Sequence, residues 1–166
     1  MRIKKVNERP PPDVARITRY SRSKMGKRRR ARELAVKVLF HLEFTPGDPD
    51  EVFDVVCENF GPSNSIWSFS RQLVLGVTEN REELDRLIRG SSKHWRLERM
   101  SRVDRTILRL GVFEILFMKD IPPKVSIDEA VDLGKKYGTE DSGAFINGIL
   151  DNIYNSLRLD GTLKNL

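Results

Sequence analysis

The 166-residue sequence predicts an all-α protein of about six or seven helices. Apolar residues recur three and four positions apart in several long segments, which is the spacing of one helix face. Proline and glycine residues separate these segments, and such residues end helices. No segment shows sustained alternation of apolar and polar residues between turn signals, the pattern of a half-buried strand.

The N-terminal segment is predicted to form neither a helix nor a strand that packs on the core. Residues 1–24 contain three consecutive prolines and scattered basic residues but no apolar stripe, so we expect a disordered leader. A helical pattern begins at about Lys24, and Pro46-Gly47 ends it. The apolar face of this first helix consists of Ala31, Leu34, Ala35, Val38, Leu39 and Leu42.

Two further helices are predicted in the middle of the chain. Asp48 precedes Pro49 and is placed to cap a short second helix, which Gly61-Pro62 ends. A longer third helix is expected over residues 65–88, where an apolar stripe continues through a polar stretch at residues 78–83.

The fourth predicted helix runs from about Ser101 to Lys119 and is apolar nearly all round. Between residues 107 and 118 only Arg109 and Glu114 interrupt apolar or glycine positions. A helix that is apolar on every side is typical of the centre of a bundle.

Two helices complete the expected fold. The sequence of residues 126–129, Ser-Ile-Asp-Glu, is a capping box and predicts a short helix that ends at Gly138. The last helix is expected over about residues 141–157, with residues 158–166 as a tail.

The composition argues against several classes of protein. No run approaches the roughly 18–20 apolar residues that span a bilayer, and the N-terminus lacks a signal-peptide core, so we expect a cytoplasmic protein. The single Cys57 excludes an internal disulfide, and two histidines, His41 and His94, argue against a histidine metal centre. Cys57 is predicted to be a buried, inert thiol. No phosphate-loop, dinucleotide, nucleophile-elbow or zinc-protease motif is present, so we expect neither catalysis nor a cofactor.

The charge is unevenly distributed along the chain. Residues 1–32 contain 13 Lys and Arg residues against 2 carboxylates, whereas residues 33–166 contain 17 against 22. A basic extension on a mildly acidic body suggests that the extension binds a polyanion, with nucleic acid as the leading partner.

The strongest local signal is a cationic cluster that merges into the first helix. It consists of Lys27, Arg28, Arg29, Arg30 and Arg32. Arginine pairs with phosphate in a bidentate manner and stacks on exposed bases. The cations also repel one another and oppose the helix dipole, a cost that a bound anion would offset. A solvated charge run remains the alternative.

Aromatic and acidic residues supply weaker candidates. Single-stranded RNA readers add stacking surfaces to positive charge, but each candidate ring here is individually more typical of core or tail. These rings are Tyr20, Phe40, Trp95 and Phe145. Glu114 on the apolar fourth helix predicts a structural ion pair rather than a catalytic acid. Asp104 lies in the first turn of its predicted helix, where a carboxylate interacts favourably with the helix dipole. Contact with a partner protein is the more specific interpretation.

Three stretches, in order along residues 27–157, carry a family pattern. They are the basic helix start at residues 28–36, the segment Val103–Arg109 continuing to residues 113–115, and residues 123–130 with 135–138 and 145–150. Together they resemble the NusB family of transcription antitermination factors. The third stretch is the most specific, since an arginine run alone is a weak signal.

The resemblance implies an all-α fold of two small three-helix subdomains, here residues 25–95 and 96–157 of a helical domain over residues 25–157. It also implies binding of the boxA element of nascent ribosomal RNA leaders, jointly with NusE, a small-subunit ribosomal protein. Family members in that complex help RNA polymerase read through terminators and support ribosomal RNA synthesis. Some members pair with themselves, so a homodimer stays open.

The resemblance also assigns roles to positions. It implies that Arg28, Arg29, Arg30 and Arg32 hold RNA phosphates and bases, with Lys27 in the same cluster. Three further residues match family positions near the RNA surface, namely Lys124, Asp141 and Phe145. Asp104 matches a position that faces NusE. Phe40 stands where a tyrosine is common and keeps the stacking face but not the hydroxyl.

Two other functions stay open on the sequence alone. NusB-like domains also precede RNA cytosine methyltransferase domains, but that interpretation requires a following α/β cofactor-binding region, and the sequence shows no such pattern. A helical interaction module that binds nucleic acid nonspecifically through the basic cluster is the other alternative.

Overall fold

The computed structural model describes the backbone of residues 12–60 and 63–163 and the side chains of residues 26–59 and 63–163. Within these ranges the elements are seven α-helices and two short 3₁₀ turns without a strand, which confirms the all-α prediction. No helix in them is long and apolar enough to cross a membrane. In chain order the helices are α1 (Pro12–Phe44), α2 (Pro49–Phe60), α3 (Trp67–Glu79), α4 (Arg81–Ser91), α5 (Arg102–Phe117), α6 (Pro123–Tyr137) and α7 (Ser142–Leu159), with the 3₁₀ turns at Asn64–Ile66 and Leu97–Arg99.

The first helix begins earlier than the sequence predicts. α1 starts at Pro12, so residues 12–24 are helical where a disordered leader was expected, and residues 1–11 lie outside the described residues. Proline suits the first position of a helix, and no further proline occurs before Pro46. An existing helix extends at little cost because each added residue gains a hydrogen bond.

The third predicted helix is two helices in the structure. α3 ends at Glu79 and α4 begins at Arg81, so Asn80 breaks the continuous helix expected over residues 65–88. The Asn80 side chain donates from Nδ2 to the Gly76 carbonyl at 2.8 Å. Asparagine competes for backbone hydrogen bonds in this way and disfavours helix interiors. The apolar stripe alone does not reveal such a break.

The start of α6 also differs from the prediction. The helix begins at Pro123, and the residues expected to form a capping box lie inside it. Ser126 is buried and donates from Oγ to Glu114 Oε2 at 2.8 Å instead of capping the helix. Pro122 and Pro123 supply the helix start, since proline at the first turn sacrifices no hydrogen bond.

α5 is the central helix, as its apolar sequence predicts. It packs against α1, α3, α4, α6 and α7, and every residue from Thr106 to Ile115 is buried. The buried set includes both of its interrupting charges, Arg109 and Glu114. The charges are therefore neutralised inside the bundle by neighbouring helices.

Helices α3 and α5 approach closely at Gly76. A Cβ atom at this position would overlap the ring of Phe113. We expect Gly76→Ala to lower the free energy of unfolding by about 1–3 kcal/mol because the ring must move in a packed core. Gly90→Ala in α4 is the control, because the added Cβ would have no heavy atom of another part of the fold within 4 Å. Alanine stabilises a helix by about 1 kcal/mol relative to glycine. Urea unfolding of both variants measures the difference, and equal midpoints would contradict the close approach.

Two ion-pair clusters align α1 antiparallel to α5. Near the end of α1, Glu43 accepts from Arg105 at 2.8 Å and from Arg109 at 2.7 Å, and Arg109 also pairs with Asp85 of α4 at 2.6 Å. Burial acts to raise the pKa of Glu43, but the hydrogen bond from Arg105 and the nearby guanidinium charges outweigh it and lower the pKa. Near the start of the described side chains of α1, Arg32 pairs with Glu114 of α5. These contacts fix where the cationic cluster emerges.

Candidate nucleic-acid interface

The cationic cluster of α1 lies against α6 and the connection that precedes it. Arg28 donates from Nη2 to Asp120 Oδ2 at 2.6 Å, and its guanidinium lies 5.2 Å from the centre of the Phe69 ring. Its side chain stays 29% exposed. Arg28 is therefore held in position without being removed from the surface.

Arg29 is held by two carboxylates of α6. It donates to both oxygens of Glu129 at 2.8 and 3.1 Å and to Asp132 Oδ2 at 3.1 Å. The hydrogen bond to Glu129 and the charge of that carboxylate raise the pKa of Arg29. Half of the Arg29 side chain is still exposed. A phosphate approaching Arg29 must share it with these acids.

Arg32 corrects the expectation that it contacts RNA. It is 3% exposed and donates to both oxygens of Glu114 at 2.6 and 2.9 Å. Glu129 lies 3.6 Å from the same guanidinium. The structural ion pair predicted for Glu114 is confirmed, and Arg32 is its partner. Its burial leaves no surface for a phosphate, so Arg32 anchors the cluster rather than extending it.

Lys27 and Arg30 are the cations of the cluster that remain free for a ligand. Both side chains are exposed, and neither forms an ion pair with the described part of the chain. A cation that has no intramolecular partner can pair with a phosphate without first breaking an ion pair. These two residues are therefore the strongest candidates for direct contact.

The N-terminal end of α6 contributes a further cation. Lys124 is exposed and lies four residues after Asp120, the partner of Arg28. The α1–α6 contacts run in parallel order along the two helices, since Arg29 meets Glu129 and Glu33 meets Lys136. The start of α6 therefore lies at the same end as the cluster.

A groove between α1 and the end of α6 adds two cations that sequence reasoning did not assign to the site. It is lined by Arg29, Glu33, Glu129, Asp132, Lys135 and Lys136. Lys136 donates from Nζ to Glu33 at 2.8 Å, which raises the pKa of Lys136, while Lys135 is exposed. In the sequence these two lysines look like the ordinary basic last turn of a helix.

The predicted aromatic positions fall into two regions. The half-buried ring of Phe145, in the first turn of α7, lies edge-on to the exposed ring of Trp95, with centroids 6.1 Å apart. Asp141 is exposed immediately before α7 and forms no side-chain cap. Phe40 lies 12 residues after Arg28, about 18 Å along α1, and packs edge-on against Phe44. The Tyr20 side chain lies outside the described residues.

Asp104 lies at the Phe40 end of the bundle. It is 8% exposed, and its Oδ1 atom has no hydrogen-bond partner among the described residues. Its neighbour Arg102 places a guanidinium 4.2 Å from the centre of the Phe44 ring. The predicted partner contact of Asp104 therefore concerns a different surface from the cationic cluster.

Residues with reactive or metal-binding chemistry do not assemble in the described ranges. Cys57 is buried, as predicted, and burial raises the pKa of its thiol. The described His, Cys, Asp and Glu residues form no group that could hold a metal ion.

Comparison with known proteins decides the family. The sequence profile of the NusB family matches residues 29–155. The chain belongs to the NusB family. It is 51% identical to the transcription antitermination protein NusB of Desulfatibacillum aliphaticivorans over 78% of this chain and 91% of the relative. It is 46% identical to that of Geobacter sulfurreducens over 80% of this chain and 97% of the relative.

Solved NusB structures agree with the fold. A structure of T. maritima NusB matches with a TM-score of 0.74 at 38% identity, covering 83% of this chain and 97% of that one. A chain from the crystal structure of antitermination factors NusB and NusE in complex with dsRNA matches with a TM-score of 0.72 at 35% identity, covering 80% and 98%. The NusB match begins at Arg29, inside the cationic cluster, so Lys27 and Arg28 precede the matched range.

Proposed function

We propose that this protein is an RNA-binding transcription antitermination factor. It binds the boxA element of nascent ribosomal RNA leader transcripts together with NusE, as part of the RNA polymerase antitermination complex. In this role it supports terminator read-through and ribosomal RNA synthesis by binding alone, without catalysis, and we expect it to act in the cytoplasm. The related structure of NusB and NusE in complex with dsRNA supports RNA and NusE as partners.

The observation that carries the proposal is the arrangement of the cationic cluster. Buried Arg32 fixes the helix, Arg28 and Arg29 are held at the surface, and Lys27 and Arg30 are free. Four cations at the surface of one helix suit a phosphate backbone, and the flexible backbone of single-stranded RNA adapts to them. Lys124, exposed in the first turn of α6, would add a further cation, and Phe145 in the first turn of α7 would offer its ring to a base.

A competition experiment tests the proposal. Labelled boxA RNA is bound to the protein and displaced with unlabelled boxA RNA, scrambled RNA of the same length, or duplex DNA, with and without NusE. We expect boxA RNA to displace best and NusE to increase the preference. Equal displacement by all three competitors would instead support nonspecific nucleic-acid binding.

The acids that hold Arg29 should limit RNA affinity. We expect Asp132→Asn to tighten RNA binding about two- to fivefold, because an exposed ion pair contributes only about 0–1 kcal/mol. Its loss leaves Arg29 held by Glu129 alone, so one acid fewer competes with phosphate. Asp128→Asn is the matched control, since Asp128 is exposed on the same helix and forms no ion pair in the described part of the chain. Fluorescence anisotropy measures both affinities. Equal gains would show that net charge, and not release of Arg29, controls binding.

A further inference from the structure

A second basic surface lies in the connection between α4 and α5. Residues 89–99 contain four Lys and Arg residues and one carboxylate, Glu98. Glu98 pairs with Arg89 at 3.1 Å, so three cations of the segment remain without an ion pair in the described part of the chain. We call this surface the connection patch; its members are Lys93, His94, Trp95, Arg96 and Arg99, and all five are exposed.

The connection patch also contains an exposed ring. Trp95 is 57% exposed, although tryptophan residues are usually highly buried. It lies in a concave surface together with Lys93, Arg96 and Arg99. Cations around an exposed ring form the combination by which proteins bind single-stranded nucleic acid, with charge for the backbone and the ring for a base.

The connection patch is joined to the cationic cluster through α7 and α6. Trp95 contacts Phe145, whose ring lies in the first turn of α7. Gly143, two residues earlier, lies against the Lys135 side chain of α6, where an added Cβ would come within 2.9 Å. Lys135 lines the groove that contains Arg29. Cations therefore occur at both ends of this path, and the Trp95–Phe145 ring pair lies at its connection-patch end.

We propose that the connection patch binds a second segment of the same single-stranded RNA, with Trp95 stacking on a base and Lys93, Arg96 and Arg99 contacting phosphates. This inference rests on the proposed function, because RNA must first be a ligand. It enlarges the contact surface from the cluster on α1 to a path across three helices. A longer RNA then gains affinity that a short one cannot.

Length dependence tests this proposal in the full chain. Binding is measured for a 6-nucleotide and a 16-nucleotide single-stranded RNA that share a boxA core. We expect Arg96→Gln to weaken the longer RNA about three- to tenfold and to leave the shorter one unchanged. Arg158→Gln is the charge-matched control, since Arg158 lies 13 residues after Phe145, about 20 Å along α7. An equal effect of the two substitutions would overturn the proposal.

Fluorescence tests the stacking contact separately. We expect the longer RNA to quench tryptophan emission in the wild type and to lose most of that quenching in Trp95→Phe, which leaves only Trp67. Thermal unfolding of the exposed-site variants verifies that they fold. Unchanged quenching in Trp95→Phe contradicts the contact.

The outcomes separate the two proposals. If the wild type binds neither RNA, the proposed function fails and this inference with it. If the wild type binds both RNAs equally and depends on the cationic cluster, the proposed function stands and the second surface is excluded. If the patch variants lose NusE and keep RNA affinity, the surface binds protein, which overturns its assignment to RNA.

Discussion

The double substitution Lys27→Gln/Arg30→Gln should weaken boxA RNA binding about 100-fold at constant salt. Both side chains are exposed and unpaired in the described structure, so their full charge is available to phosphate. A hydrogen bond to a charged group contributes about 1.5 kcal/mol or more, which is roughly tenfold in affinity for each residue. Fluorescence anisotropy with labelled RNA measures the loss.

Charge and structure are controlled by a second double variant. Arg86→Gln/Arg158→Gln removes the same charge from exposed positions on α4 and α7. We expect the RNA affinity of this variant to fall no more than a few-fold, because charges beyond a Debye length of about 8–10 Å are largely screened. A comparable loss in both variants would mean that net charge alone attracts the RNA.

Glu114→Gln should lower the free energy of unfolding by about 3–5 kcal/mol. The substitution leaves the guanidinium of Arg32 buried without its main partner, and breaking one side of a buried ion pair has a cost of this size. Ser126 also loses the carboxylate that accepts its hydroxyl. Chemical denaturation measures the midpoint and slope.

An exposed ion pair provides the comparison. Glu98→Gln breaks the contact of Glu98 with Arg89, where both side chains are more than half exposed. We expect its unfolding midpoint to stay at the wild-type value, because water replaces the lost partner. If Glu114→Gln is equally harmless, the Arg32 ion pair does not hold α1 in the fold.

Helix positions in the fold follow from the sequence wherever apolar periodicity and turn residues agree. Asp48 does cap α2, since its Oδ1 accepts from the backbone N–H of Asp50 and Glu51 at 3.0 and 3.1 Å. The predicted helix boundaries are wrong where a polar side chain can form either of two hydrogen bonds. Asn80 breaks a continuous apolar stripe, and Ser126 bonds across to Glu114 instead of capping its own helix.

The sequence predicts where the cationic cluster lies but not which of its cations are buried, paired or free. The density of arginines predicts an anion-binding surface, yet the five cations of the cluster look equivalent in the sequence. Only tertiary packing distinguishes buried Arg32 from free Arg30. Lys135 was not assigned for the same reason, because its place beside Arg29 depends on how α6 lies along α1.

The salt dependence of boxA RNA binding tests most directly whether the surface cations of the cluster contact RNA phosphates. Each phosphate neutralised contributes about −0.7 to the slope of log affinity against log salt. Contacts from Lys27 and Arg30 alone predict a slope of about −1.4, and all four surface cations predict about −2.8. We expect the wild type to fall in this range and Lys27→Gln/Arg30→Gln to be shallower by about 1.4. A slope that this double substitution leaves unchanged would contradict direct contact of Lys27 and Arg30 with RNA phosphates.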